Sequence, residues 1–214
     1  MPIRPVIPSI VAGVLAALAL SAAAHAQTED LHAWSVTTAR GALDLCRADA
    51  PDAARVIDHG AIWGWQFVEY LEHPKNYRRE AGGEARHSTT SDGGARASVE
   101  MGVQSGHVTS VAPASVRYFR CNIAADQPIR PDLESYFTGL YGPPISKTDE
   151  ATVWLVADGG ATATADAAVS DDAALPAVSS AAVGASLMRI ELTREQGADH
   201  ARLTILKKDG VVAP

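Results

Sequence analysis

The sequence predicts an α+β domain: an antiparallel sheet of about five to six strands, helices packed on one face, and one disulfide. Three observations carry this. Apolar and polar residues alternate with period two in several segments, as in Val99, Met101 and Val103 against Ser98, Glu100 and Gln104. Helical stripes precede each group of strands, so the order reads helix, strand, strand, then helix, strand, strand, strand. Cys46 and Cys121 are the only cysteines, and a secreted chain with none left over pairs them.

The chain opens with a short head carrying Arg4 and continues into an apolar run from Ile10 to Leu20. Ala24 and Ala26 then stand at the −3 and −1 places of an A-x-A cleavage site. This is the three-part layout of a secretory signal peptide, with an apolar run too short to span a bilayer comfortably. Residues 1–26 are therefore expected to be removed, and residues 27–214 to form one periplasmic or secreted α+β domain. No later run is long and apolar enough for a membrane helix, so the mature chain is expected to be soluble, with no transmembrane segment. The formal charge is −7. That balance lacks the electrostatic footprint of a general nucleic-acid binder.

In chain order, Glu29 to Ala48 reads as a helix whose buried side includes Leu31 and Trp34, then Ala42, Leu45 and Cys46. Gly41 marks a bend inside it. Pro51 and Asp52 suit the first turn of a second helix, which carries Ala53, Val56 and Ile57 and ends near Asp58 to Gly60. Ala61 to Leu71 fits either period; Gly64 and the density of aromatics favour a strand. Residues 74–96, punctuated by glycine pairs, read as a long exposed loop with room for a weak strand at Glu84–Thr90.

Ala97 to Gln104 and Ser115 to Ala125 read as an antiparallel pair, with a turn near Ser105 and Gly106. In the second strand Phe119, Cys121 and Ile123 point one way, and Val116, Tyr118 and Arg120 the other. Arg130 to Tyr141 carries the clearest helical cues: Pro131, acidic Asp132 and Glu134, the stripe Leu133, Tyr136, Phe137 and Leu140, and the stop at Gly142. Thr152 to Ala157 is apolar on both faces, as a covered strand is. Residues 158–184 are low in complexity and read as a flexible insertion. Ser186 to Arg194 and His200 to Lys208 make a final hairpin.

Motifs for chemistry are missing. His32, His59, His73, His87, His107 and His200 form no H-x-H or H-E-x-x-H spacing, so no metal or other cofactor is expected. Neither G-x-S-x-G nor S-x-x-K occurs, and the glycine doublets lack the strand and helix of a phosphate cradle. Two features point to binding. Trp63, Trp65 and Tyr70, with Phe67, could line a pocket or a partner site, although aromatics of this kind more often fill a core. Lys75, Arg78 and Arg79 form a local positive patch that could meet an acidic partner, although with Glu80 and Glu84 interleaved such a run is more often a solvated loop.

The expectation for function is a non-catalytic binding or interaction module of the cell envelope, with an envelope protein or small ligand as partner. The alternative is an envelope hydrolase with its site near residues 61–71, to be tested at His59, His73 or His87.

Overall fold

The computed structural model describes residues 9–69, 77–92, 94–108 and 116–209. Helices α1 (Ser9–Asp49) and α2 (Ala53–Ile62) precede strands β1 (Val68–Glu69), β2 (Tyr77–Thr90), β3 (Arg96–Val108) and β4 (Val116–Ala125). Helix α3 (Arg130–Tyr141) precedes β5 (Ser146–Lys147) and β6 (Ala151–Asp158). A short helix α4 (Asp171–Ser180) then leads to the hairpin β7 (Ser186–Glu195) and β8 (Ala198–Lys208).

Within the described residues all strands join one sheet in the order β1-β2-β3-β4-β8-β7-β6-β5. Every pairing is antiparallel. The chain thus forms the expected α+β fold, with six long strands and two of two residues each. The order has a symmetry the sequence did not reveal. Helix followed by a four-strand meander occurs twice, and β4 meets β8 in the middle. A local two-fold axis perpendicular to the sheet would relate the halves.

One face carries the main core. Met101 and Val103 of β3, Phe119 and Ile123 of β4, Leu203 of β8 and Ile190 of β7 are fully buried there with Leu43 of α1 and Phe137 of α3. Into this layer the Cys46–Cys121 disulfide ties α1 to β4, bridging a Cα–Cα distance of 6.3 Å and a sequence separation of 75. Helix α3 is capped from across the sheet: the Arg130 amide donates to Asp199 Oδ2 at 2.7 Å. Its side chains also grip the β5–β6 turn. Arg130 donates to the carbonyls of Thr148 and Asp149, while Glu134 accepts from Lys147 and Thr152 at 2.6 Å each.

Several expectations are corrected. Helices do not keep to one face: α1 to α3 share the first, but α4 lies on the opposite one, over Tyr118, Leu187 and Leu206. Residues 158–184 are therefore not a flexible insertion. Leu175 and Val178 of α4 are buried, and Asp171 pairs with Arg120 of β4 and, at 3.8 Å, with Arg189 of β7. Likewise the expected loop of residues 74–96 is largely strand, since β2 pairs with β3 from Tyr77 to Thr90; residues 74–76 and 93 lie outside the described residues. Small inward residues disguise this strand. A Cβ on Gly83 would sit 3.3–3.4 Å from the Val68 carbonyl, Ile57 and Phe67, so a larger residue there would have to push β1 and α2 outward by a few tenths of an ångström.

Residues 61–71 are mostly not a strand. Ala61 and Ile62 end α2, the Trp63 amide caps it on Gly60, and Gly64 turns at φ +85°. Only Val68–Glu69 pairs, and residues 70–71 lie outside the described residues. Three boundaries also move. Helix α1 begins at Ser9 and runs through the expected cleavage point, Asp52 is the N-cap of α2 rather than part of its first turn, and β3 continues through Ser105 and Gly106. Among the described residues no helix is long and apolar enough to cross a membrane.

The disulfide closes a long loop, and chain entropy assigns such a crosslink about 4 kcal/mol. Replacing Cys46 and Cys121 together by alanine should lower the urea midpoint accordingly, and reductant should do the same to the unmodified protein. Coincident unfolding curves would contradict this. A second test concerns Glu134. Burial pushes its pKa up, but the bonds from Lys147 and Thr152, the Lys147 charge and Arg130 bring it net below its ordinary 4.5. A lowered carboxylate pKa stabilises the fold above 4.5 and loses that contribution as pH falls through the folded value. Glu134→Gln should therefore melt lower than the parent at neutral pH, with the gap closing on acidification below that value. A gap independent of pH would show that the charge is not what matters.

Candidate functional site

The first half of the fold contains a cleft of about 750 Å³ between α1, the end of α2 and β2. Its floor along α1 is a single stripe: Trp34, Thr38, Gly41, Leu45 and Ala48 recur at helical spacing beside the stripe that faces the sheet. The middle of the stripe is small, and this holds the cleft open. No atom lies within 4 Å of where a Gly41 Cβ would be. Helix α1 passes through Gly41 without interruption, so this glycine leaves space rather than a bend.

The opposite wall comes from the turn after α2. The Trp63 and Trp65 amides both donate to the Gly60 carbonyl, at 2.9 and 3.0 Å. With Gly64 between them at positive φ, the two indoles take opposite roles. Trp65 is 5% exposed and forms the inner wall, whereas Trp63, 75% exposed, and Ile62, 81% exposed, form the rim. His87 of β2 closes the back. Its ring lies 5.1 Å from that of Trp65, nearly edge-on, and 6.4 Å from that of Trp34.

Polar groups are few and specific. Asp49, the last residue of α1, is buried and accepts a 2.7 Å hydrogen bond from His59 Nδ1. The bond fixes the proton of neutral His59 on Nδ1 and leaves Nε2 as an acceptor. Arg55 stands 3.7 Å from the other oxygen of Asp49. Asp44, on the outer wall, accepts from Arg47 at 2.9 Å and from the Tyr136 hydroxyl. That bond and burial raise the Tyr136 pKa, burial being the larger cause.

Two other clefts lie elsewhere. One, of about 520 Å³, sits on the open side of β2 to β4, where Arg86 and Glu100 pair with each other. Another, of about 620 Å³, lies beside β6 and contains the paired Arg189 and Glu191. Neither contains a tryptophan. Among the described residues no group of three or more His, Cys, Asp or Glu is placed to share a metal ion.

Of the residues singled out in the sequence, Trp63 and Trp65 meet in the cleft, with one exposed and one core-like. Tyr70 and Lys75 lie outside the described residues. Arg78 and Arg79 belong to β2, opposite His107 and Gly106 of β3. Sequence reasoning missed Trp34, placed with the core, and the pairing of His59 with Asp49. A second stripe on α1 of Trp34, Thr38, Gly41, Leu45 and Ala48 was the available cue. The chain matches no family model, no curated protein and no solved structure.

Proposed function

We propose that this protein is a binding module of the cell envelope that takes a small apolar ligand in the cleft between α1, α2 and β2. One observation carries the reading. Three of the four tryptophans, Trp34, Trp63 and Trp65, converge on one concave surface from two separate segments, while Trp154 is spent in the core. Ligand sites of this size are typically apolar clefts with a few placed polar groups, here Asp49, His59, Asp44 and Thr38. The envelope location draws its support from the layout of residues 1–26 and from the disulfide, which belongs to an oxidising compartment.

A hydrolase working in the same cleft is the second reading, and the Asp49–His59 bond favours it. A buried carboxylate that orients an imidazole at a cleft edge is the base-and-orienter pair of general-base catalysis.

The neutral dye N-phenyl-1-naphthylamine tests the binding reading on protein exported from cells that carry the full chain, with an intact mass expected to begin at Gln27. Saturable one-to-one binding is expected. Gly41→Leu should weaken it roughly tenfold or more while the protein folds normally, because the new side chain enters open space and leucine is the better helix former. Equal binding by parent and Gly41→Leu would remove the cleft from the proposal. For the second reading, an aryl ester is the substrate: turnover lost in His59→Ala would establish hydrolysis, and turnover insensitive to that change would dismiss it.

A further inference from the structure

Resting on the cleft reading above, we infer that the ligand is an apolar amine, bound with its protonated nitrogen against the tryptophan walls and within the field of the lining carboxylates. Among the described residues, those that line the cleft include Asp44 and Asp49 but no lysine or arginine. Arg47 and Arg55 neutralise these carboxylates in part from outside the lining, Arg47 at 2.9 Å from Asp44 and Arg55 at a looser 3.7 Å from Asp49. An anionic ligand would therefore meet two carboxylates and no lysine or arginine among the described lining residues. A cation meets the reverse.

The other polar groups agree. His59 Nδ1 is bonded to Asp49, so a neutral ring that donates there has an acceptor, not a donor, at Nε2. Asp44 adds further acceptor sites at a partly exposed position on the wall, its side chain 52% exposed. Indole faces attract cations through their quadrupole, within about 6 Å of the ring. The chain itself uses this environment for a basic ring, since His87 packs against Trp65 and Trp34. An amine on an apolar body thus has an apolar wall, aromatic faces and carboxylate acceptors in one cavity.

Three indoles that differ only in the end group make the test: tryptamine, tryptophol and indole-3-acetate. Affinities are measured by calorimetry on the parent protein at a pH of about 8, where ordinary histidines are neutral. Tryptamine should bind roughly tenfold tighter than tryptophol, and indole-3-acetate more weakly than either. Asp44→Asn should narrow the advantage of tryptamine over tryptophol; Asp49→Asn should do likewise, with circular dichroism confirming the fold. Gly41→Leu should block all three. Equal affinities, preference for the acetate, or tryptamine binding insensitive to Gly41→Leu would each overturn the inference. If the neutral dye still binds the cleft in that case, the amine is wrong and the cleft reading stands; if the dye also fails, both fall.

Discussion

The bond between Cys46 and Cys121 sets the position of almost everything described above. Strand β4 lies at the middle of the sheet, with β3 on one side and β8 on the other, and both sulfurs are fully buried. Fixing Cys46 there orients α1 about its own axis. The side of the helix carrying Leu43 and Cys46 must face the sheet, so Trp34, Gly41 and Leu45, roughly a quarter to a third of a turn around, face along it. Helix α2 follows within four residues and packs on α1 and β2, which leaves a furrow between the two helices. The cleft is thus a consequence of how the first helix is tied down. Its depth is then set by side-chain size.

The same tie separates the two halves in character. Both consist of helix and meander, yet in the first a second helix follows directly on the first, whereas in the second the added helix lies between two strands and packs on the opposite face. In the second half α3 is held by directed polar contacts: Asp199 at its first amide, and Arg130 and Glu134 on the β5–β6 turn. Across the sheet, α4 is secured by Asp171 to Arg120 and Arg189 above a small apolar layer. Buried ion pairs of this type specify position more than they add stability, because desolvation offsets much of the attraction.

What could be read from the sequence was what is encoded locally. Helix α3 was legible to the residue, since proline, acidic first turn, apolar stripe and glycine stop all lie within its own thirteen or so positions. The β7–β8 hairpin was legible from alternation, although its turn is tighter than expected, with Gln196 and Gly197 at positive φ between Glu195 and Ala198. Strand β2 was not, because its inward positions are the small Gly83 and Ala85, under the tight packing of β1 and α2, and small residues carry little strand propensity. Nor was α4: an alanine-rich segment looks like a linker until Arg120 and Arg189, distant in sequence, are brought beneath it. The candidate site failed for the same reason. Trp63 and Trp65 could be picked out as aromatics, but Trp34, His59 and His87 join them only through the tertiary fold.

The open state of the cleft is itself informative on energetic grounds. Burying one further methylene contributes about 0.8 kcal/mol. Gly41 and Ala48 stand where leucines would cover apolar surface, and a side chain at Gly41 would meet no steric resistance. Alanine or leucine would also improve the helix by up to about 1 kcal/mol relative to glycine. The chain therefore forgoes stability on the stripe that faces Trp63 and Trp65, while the stripe beside it is filled by Leu43 and Cys46 at zero exposure. Trp63 and Ile62 are left projecting into solvent at the rim, where a packed core would have drawn them in. An occupant that covers these surfaces would recover the missing burial, and the free energy of that recovery is available for binding.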